Sequence, residues 1–363
     1  MALPETMRAV VMNGNFNVAV EDRPTPKLQH SMDAIIRVTL SGLCGSDLHY
    51  YRGHLPYTPG FVMGHEIVGA IAQKGDDVKN FEIGDMVVVP FFTSCQNCFF
   101  CLRGQASRCL HGQSIGNSGF AIAIDGGQAE YVRVPLAGTT LMPVPTGIPQ
   151  TMLALMADIF PTGYFAASRF LKNLPPNDKK STVAVAVGCG PVGACAITAA
   201  LTMCDTVYAI DSVPERLVEA EKLGARPILI SDDPISKIMA ATDGRGADVV
   251  MELVGRVDAL HLAIDLVRPF GFVSSIGVYT EVFTVPASQL YGKNLTLAFG
   301  RCPVRSIFQD ALDILIQEQE KLEFLCGQIM DLEQAPEAYN IFEKRKVHKI
   351  IFTVGGGNRV NGV

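Results

Sequence analysis

Four cysteines stand close together in one polar segment of the chain. They are separated by two, two and seven residues and are Cys95, Cys98, Cys101 and Cys109. Four thiolates at this spacing can close a tetrahedron around zinc, and a closed shell leaves no position for a substrate. The spacing therefore predicts a structural zinc site whose binding energy orders a loop with little core of its own. Free thiols, two disulfides and an iron–sulfur cluster remain open as alternatives.

A glycine-rich turn indicates a dinucleotide site. The turn follows the apolar run 183–187, opens a helical pattern and reads Gly188-Cys189-Gly190-Pro191-Val192-Gly193. In such turns the first glycine permits the tight bend, the second lets phosphates approach the backbone and the third lets helix pack on strand. A plain strand-to-helix turn, with glycine present only for packing, is the alternative.

The nucleotide preference depends on the end of the next apolar strand. Asp211 lies there, eighteen residues past the last glycine, where a carboxylate can accept hydrogen bonds from both adenine-ribose hydroxyls. The same charge repels a 2'-phosphate, so we expect NAD(H) rather than NADP(H). Arg216 lies nearby and works against that preference.

The secondary structure that the sequence predicts differs between the first part of the chain and the rest. Short alternating or β-branched runs broken by Gly and Pro extend from Met7 to Val89 and predict a β-rich, loop-rich lobe. A Pro/Gly cluster at 143–149 ends this pattern, so we expect a domain boundary near residues 150–165.

After that boundary, apolar strands alternate with helical segments, which is typical of a parallel, doubly wound sheet. The strands expected are Val183–Val187, Val207–Ile210, Pro227–Ile230, Ala247–Met251 and Phe272–Ile276. A helical segment from Ser306 to Gln328 and a strand from Lys349 to Val354 follow, and this tail is expected to rejoin the first lobe.

Length and charge limit the function classes. The 363 residues suit two domains, and the net charge of -6 offers no basic stripe for a polyphosphate backbone, so we expect no nucleic-acid partner. No secretory pattern and no run of about 18 apolar residues is present, so we expect no membrane contact and a cytoplasmic location. The ten cysteines are then thiols and metal ligands rather than a disulfide framework.

Two further segments carry a family resemblance. Ser41–His49 and Gly64–Gly69, followed by Gly75, Val78 and Gly84–Val87, resemble the zinc-dependent medium-chain alcohol dehydrogenases. The resemblance covers nearly the whole chain in the family's order of motifs. It implies an α/β fold with a GroES-like, β-rich catalytic domain at 1–157 and 299–363 and a Rossmann domain at 158–298.

The segment 157–163 narrows the resemblance to one branch. It is similar to the branch of glutathione-independent formaldehyde dehydrogenases and related polyol and secondary-alcohol enzymes.

The resemblance implies a catalytic zinc held by Cys44, His65 and Asp158. Liver-type enzymes have cysteine where Asp158 stands, and a carboxylate preserves the ligand charge. Because oxygen is harder than sulfur, this zinc is expected to be more electrophilic and more easily lost. Asp47 matches an acid that orients the histidine, and Glu66 matches a carboxylate close to zinc that is not a direct ligand. Taken singly, His65 and Cys44 would more often be buried core residues.

The resemblance also implies the reaction. Zinc polarises the substrate oxygen, hydride passes to nicotinamide, and the proton leaves through Ser46, the nicotinamide ribose and His49. Thr162 matches a residue beside the nicotinamide, and Lys349 a basic contact to the pyrophosphate. Gly45 replaces a basic residue of some members, which removes one phosphate contact.

Several apolar residues are candidates for the substrate pocket, or equally for the core. They are Phe91, Leu55, Tyr57 and Phe120.

The function expected is therefore a zinc-dependent alcohol dehydrogenase or carbonyl reductase with two zinc ions and NAD(H), acting on a small molecule as a homodimer or homotetramer. One alternative is a family member that reduces an iminium or activated alkene, which the presence of Ser46 and His49 disfavours. The other is a non-catalytic binding protein that retains the fold, which the intact ligand set disfavours.

Overall fold

The computed structural model describes residues 2–116, 123–285 and 287–355, and every element below belongs to these ranges. The strands are β1 (Thr6–Gly14), β2 (Asn17–Pro24), β3 (Ala34–Leu43), β4 (Phe61–Val62), β5 (Glu66–Lys74), β6 (Met86–Val89), β7 (Ser114–Ile115), β8 (Ala123–Ile124), β9 (Tyr131–Val134), β10 (Met142–Pro143), β11 (Val183–Val187), β12 (Thr206–Asp211), β13 (Arg226–Leu229), β14 (Ala247–Glu252), β15 (Val267–Ser275), β16 (Thr296–Phe299), β17 (Ile329–Asp331) and β18 (Ile350–Thr353).

The α-helices are α1 (Gly45–Tyr51), α2 (Ala137–Thr140), α3 (Gln150–Met156), α4 (Ile159–Leu171), α5 (Pro176–Lys179), α6 (Pro191–Leu201), α7 (Pro214–Leu223), α8 (Pro234–Ala241), α9 (Val257–Leu266), α10 (Ala287–Lys293), α11 (Val304–Glu318) and α12 (Ala335–Glu343). Tighter 3-10 turns cover Cys101–Arg103, Ala106–Arg108, Gln319–Cys326 and Leu332–Gln334.

The chain folds into two compact units. The first comprises Met1–Asp158, Pro303–Leu312 and Glu323–Val363, and the second comprises Ile159–Cys302 and Asp313–Leu322. The chain returns to the first unit at Pro303, and β16, which the sequence patterns did not predict, extends the second unit's sheet to Phe299.

In the main sheet of the first unit, the ends of three neighbouring strands, β5, β3 and β18, lie side by side. Its strand order is β10-β6-β5-β3-β18-β17, with β9 also paired to β3. β3 runs antiparallel to β5, with Gly42 opposite Glu66, and antiparallel to β18, with Leu43 opposite Ile350. The residues just beyond these strand ends, Cys44 and His65 among them, are therefore brought together by sheet register.

Apolar side chains explain why this sheet is stable. One core cluster contains Ile36, Val38, Ile67 and Val87, all between 0 and 2% exposed. Both strands are buried over most of their length, β5 through its first six residues, so side chains on both faces of this sheet contribute to the core. A second core cluster brings α12 to the same unit through Tyr339, which is fully buried.

The second unit contains a six-stranded parallel sheet in the order β13-β12-β11-β14-β15-β16. β11 and β14 are buried along their whole lengths, as expected for strands covered on both faces. The strand order reverses between β11 and β14, and ligands of doubly wound folds bind where that reversal occurs. The glycine-rich turn follows β11 directly.

The helices and the cysteines have two further properties. Within the ranges that the structure covers, no helix is long and apolar enough to cross a membrane. All ten cysteines are free thiols.

Candidate metal centres and cofactor site

The four predicted cysteines converge in the first unit. Their sulfur atoms all lie within 4.8 Å of one another, and those of Cys98 and Cys109 are 4.0 Å apart. A tetrahedral zinc with Zn–S bonds of about 2.3 Å separates its sulfurs by about 3.8 Å, so the cluster fits zinc. Two 3-10 turns, Cys101–Arg103 and Ala106–Arg108, shape this loop.

The electrostatics of this cluster favour a bound cation. Backbone N–H groups of Cys95 and His111 donate to the sulfur of Cys109 at 3.2 and 3.4 Å. Backbone N–H groups also lower the pKa of Cys98 to about 6, whereas burial raises the pKa of Cys101 to about 12. Without a cation the thiols of Cys98 and Cys101 differ in charge at neutral pH, so a bound cation is what would bring all four sulfurs to the thiolate form.

The second predicted ligand set also converges in the first unit. Cys44 follows β3 as the N-cap of α1, His65 precedes β5, and Asp158 lies between α3 and α4. Oδ2 of Asp158 lies 3.5 Å from the sulfur of Cys44 and 3.3 Å from Nε2 of His65. A thiolate, an imidazole and a carboxylate are a donor set that suits zinc with an open position.

Glu66 completes this cluster as a fourth group. One oxygen of its carboxylate lies within 4.8 Å of the ligand atoms of Cys44, His65 and Asp158. Its Oε1 is buried and has no hydrogen-bond partner in the described part of the chain. The sequence analysis expected Glu66 close to the zinc but outside its direct ligands; its carboxylate lies beside the three ligand atoms, and its orphaned oxygen supports a cation here.

Lys349 lies where the sequence analysis did not expect it. Its side chain is 1% exposed, pairs with Oε2 of Glu66 and donates to the carbonyl of Leu43 at 3.0 Å. Burial opposes its charge, but Glu66 raises the pKa of Lys349, and burial in turn raises the pKa of Glu66. The ammonium pairs with the carboxylate of the metal cluster, and the predicted contact of Lys349 with the pyrophosphate stays a prediction.

Asp47 lies behind His65. Its Oδ2 accepts the backbone N–H of Cys44 at 3.0 Å, which is the contact of an N3 residue with a helix N-cap. Its Oδ1 lies 3.2 Å from Nδ1 of His65, an ion-pair distance without hydrogen-bond geometry. Burial opposes protonation of His65, but Asp47 and Asp158 raise its pKa well above the ordinary value.

Ser46 and His49 occupy α1 beside the cluster. The hydroxyl of Ser46 lies 3.2 Å from the sulfur of Cys44 and 3.1 Å from Nε2 of His65. Nδ1 of His49 is buried and, in the part of the chain that the structure covers, has no hydrogen-bond partner. Burial, followed by Arg52 and His54, lowers the pKa of His49.

The apolar candidates for the substrate pocket separate in the structure. Phe91 packs edge-on to His65, with ring centroids 6.4 Å apart. Leu55 and Tyr57 pack against the core cluster that contains Tyr339. Phe120 lies outside the described residues.

The turn after β11 has the shape that a dinucleotide requires. Gly188 has a φ of +97°, which favours glycine, and a Cβ on Gly193 would lie 2.1 Å from the carbonyl oxygen of Gly188. Gly190 is the N-cap of α6, and a Cβ there would meet only Arg216, at 3.9 Å. The backbone at Gly190 is thus open to a phosphate at a helix N-terminus, with Pro191 and Val192 opening that helix.

Asp211 ends β12 beside this turn. Its carboxylate accepts the backbone N–H groups of Cys189 at 2.7 Å and Val213 at 2.9 Å. Nη1 of Arg216 lies 3.7 Å from Oδ2 of Asp211, so the two side chains form an ion pair. Asp211 is the residue that favours NAD(H), and Arg216 is the one that works against that preference. Thr162 lies on α4 in the same unit and is half-buried.

Two buried residues near the metal cluster were missed by the sequence analysis. Gln128 and Tyr339 are fully buried and hydrogen-bonded to each other at 2.8 Å. A single glutamine or tyrosine carries no spacing signal, so only the neighbouring Gly126 and Gly127 hinted at close packing here.

Comparisons with known proteins agree with this geometry. Residues 30–146 match the model of the alcohol dehydrogenase GroES-like domain, and residues 191–317 match that of the zinc-binding dehydrogenase family. Zinc-type alcohol dehydrogenase B of Aspergillus flavus is 46% identical over 98% of this chain and 83% of its own. A medium chain reductase/dehydrogenase of Acremonium sp is 48% identical over 79% of this chain and 99% of its own.

A solved structure shows the same fold. Alcohol dehydrogenase TADH from Thermus sp. ATN1 matches with a TM-score of 0.89 and 34% identity, covering 96% of this chain and 100% of that one.

The chain belongs to the zinc-dependent medium-chain alcohol dehydrogenase family. It is an oxidoreductase of the zinc-type alcohol dehydrogenase or medium-chain reductase kind, with a GroES-like domain, a Rossmann-type domain and two clusters with the donor sets of zinc sites. The predicted fold class and enzyme class are confirmed.

Proposed function

We propose that the chain interconverts an alcohol and its carbonyl compound, with NAD(H) as the hydride carrier. One observation supports this proposal most directly. The Ser46 hydroxyl touches both Cys44 and His65, so a proton acceptor lies directly beside the metal position. A zinc ion at this position supplies a Lewis acid that lowers the pKa of an alcohol.

Residues of the chain then transfer the alcohol proton and balance the charge around the metal position. Ser46 takes up the alcohol proton while its own hydroxyl proton passes to the nicotinamide ribose, and His49 receives a proton from the ribose and releases it to solvent. The lowered pKa of His49 keeps its imidazole neutral, and therefore able to accept, at neutral pH. Asp47 holds His65 in place, and Lys349 balances the charge of Glu66.

The preference for NAD(H) is part of the proposal. Asp211 lies beside the phosphate-binding turn, where a second negative charge from a 2'-phosphate would be repelled. Thr162, on α4, is proposed to lie beside the nicotinamide.

The substrate class is proposed from Asp158 and its segment 157–163. These residues support the branch of formaldehyde dehydrogenase-like, polyol and secondary-alcohol enzymes. We propose Phe91, which packs on His65, as one wall of the substrate pocket.

Assembly as a homodimer or homotetramer is also proposed. β16 is the outer strand of the second unit's sheet, and α10 before it carries Tyr291, which is 88% exposed. Such an edge is a ready surface for a second copy. The ten free thiols support a reducing, cytoplasmic location.

A substrate panel tests the proposed reaction. Alcohols and carbonyl compounds are offered with NAD(H) and NADP(H), and turnover is followed by NADH absorbance. Turnover of primary or secondary alcohols with NAD is expected. Reduction of iminium or activated alkenes alone would overturn the proposal, and so would the absence of any turnover.

A further inference from the structure

Gln128 is a buried polar residue with both ends of its amide engaged. Its Nε2 donates to the carbonyl of Gly42 at 3.2 Å and to Oδ2 of Asp47 at 3.4 Å. Its Oε1 accepts from the hydroxyl of Tyr339 at 2.8 Å. The side chain therefore reaches the segment that carries Cys44 and the acid behind His65.

The backbone of the same loop reaches the other ligand segment. Three N–H groups, of Gly126, Gly127 and Gln128, donate to the carbonyls of Val62, Gly64 and Met63 at 2.8, 2.9 and 2.8 Å. These carbonyls immediately precede His65. A Cβ on Gly64 would lie 2.5 Å from the backbone nitrogen of Gln128, so the two backbones lie in direct contact. Gln128 thus contacts both segments, with its side chain on the Cys44 segment and its backbone N–H, together with those of Gly126 and Gly127, on the His65 segment.

The carbonyl of Gly42 and the carboxylate of Asp47 accept from Nε2 and so set which way the amide points, and Tyr339 holds it there through Oε1. Burial raises the pKa of Tyr339 well above the ordinary value, so its hydroxyl keeps its proton and donates to Oε1. A flipped amide would turn Oε1 toward the carbonyl of Gly42 and the carboxylate of Asp47. Oε1 would then face two other acceptors, which costs the hydrogen bonds to Gly42 and Asp47.

We propose that Gln128, held in that orientation by Tyr339, is a positioning residue of the catalytic metal site and holds Cys44 and His65 at the spacing that zinc requires. This inference rests on the proposed function of that site. Partners beyond the direct ligands typically change metal affinity by about 10- to 100-fold. Gln128 acts through Asp47 and the two backbones and touches no ligand atom.

Zinc affinity, measured separately for each site, tests the proposal. Gln128→Leu and Tyr339→Phe are compared with the wild type by chelator competition and by the visible spectrum of the cobalt-substituted catalytic site. Gln128→Leu is expected to weaken zinc at the catalytic site by about 10- to 100-fold and to alter the cobalt spectrum. The four-cysteine site keeps wild-type affinity.

Two further variants separate positioning from general destabilisation. Tyr279→Phe removes a hydroxyl of a partly buried tyrosine in the second unit, which bonds to Glu252 at 2.6 Å, and is expected to leave both zinc affinities unchanged. In the double variant, Tyr339→Phe adds no further loss to that of Gln128→Leu, because the amide that it holds in place is gone.

The outcomes are distinct. Wild-type affinity and a wild-type cobalt spectrum in Gln128→Leu would overturn the proposal. If that variant does not fold, unchanged catalytic-site affinity in Tyr339→Phe would overturn it equally. A wild-type protein that binds zinc only at the four-cysteine loop would instead contradict the proposed function, and this inference with it.

Discussion

Charge at the second metal cluster is arranged residue by residue. Cys44 and Asp158 supply two negative ligands, and burial together with the neighbouring carboxylates raises the pKa of Cys44 in the absence of a cation. Glu66 adds a third negative group whose charge is offset by Lys349. A divalent ion held by Cys44, His65 and Asp158 would therefore have its charge matched by the thiolate and the carboxylate, because the charge of Glu66 is already offset.

Ser46 gives the first prediction at this scale. In Ser46→Ala the hydroxyl beside Cys44 and His65 is lost, so turnover falls steeply while NADH affinity, which depends on the second unit, changes little. Steady-state kinetics and NADH fluorescence titration measure the two quantities. Unchanged turnover in this variant would exclude Ser46 from the proton path.

His49 gives the second prediction, through its pH dependence. Burial, Arg52 and His54 lower the pKa of His49, so the imidazole becomes protonated, and stops accepting, only below its ordinary value of 6.5. The rate of alcohol oxidation should therefore begin to fall only below that pH. In His49→Gln we expect a loss on the order of 10²-fold, partly restored by concentrated buffer or alkaline pH. Wild-type rates for this variant at every pH would remove His49 from the mechanism.

Asp211 gives the third prediction, on nucleotide choice. NADH is expected to outperform NADPH, and Asp211→Ser is expected to narrow the gap, because the carboxylate is lost and Arg216 is released from its ion pair. The ratio of kcat/KM for the two nucleotides measures this. Arg216→Ala is the matched control and should widen the gap. A wild-type preference for NADPH would reverse the roles assigned to the pair.

Sequence reasoning located the ligand-type residues but not their surroundings. Cys44, His65 and Asp158 were predicted because they match a family motif, and the structure brings their ligand atoms together. The buried positions of Lys349 and Gln128 could not be predicted, because the sequence does not show whether a polar side chain is exposed or buried beside another charge. Their positions depend on contacts 283 and 81 residues away along the chain.

Among the elements, the cysteine loop depends most on its metal. Its local apolar cluster consists of the cysteines themselves, with Phe92 and Phe100 packed against them. Such a loop has little hydrophobic core to hold it once the metal is gone.

A substitution in this loop gives the fourth prediction. Cys109→Ser is expected to lower the thermal stability of the protein far more than its turnover per folded molecule, because the catalytic cluster lies on other elements. Cys204→Ser, a buried cysteine outside both clusters, is the control and should cost less stability. Differential scanning calorimetry and active-site titration measure the two effects. Full stability with abolished turnover in Cys109→Ser would contradict a structural role.

The elements that sequence patterns missed are short or half-exposed. β16 covers four residues, none of them buried, so it lacked the apolar run by which β11 and β14 were predicted. The expected helix from Ser306 to Gln328 is an α-helix to Glu318 followed by a 3-10 segment to Cys326. Hydrophobic periodicity locates such a segment but does not distinguish the two helix types.

At the scale of the whole molecule, the candidate metal clusters and the glycine-rich turn lie in different units. The first unit contains both candidate metal clusters, and the second contains the glycine-rich turn with Asp211. The C-terminal strand β18 pairs with β3 in the first unit, which places Lys349 behind Glu66. The catalytic site is therefore assembled from both ends of the sequence, and truncation of the tail would remove the charge that balances Glu66.

The most direct test of the account is stepwise removal of metal from the purified protein, with metal content, NAD-linked turnover and thermal stability followed together. Two zinc ions per chain are expected. The ion held by Cys44, His65 and Asp158 should leave first and take turnover with it, because its shell is open and contains oxygen. Loss of the second ion should then lower the stability. Iron with a visible absorption band, or full turnover after the first ion has left, would contradict the account.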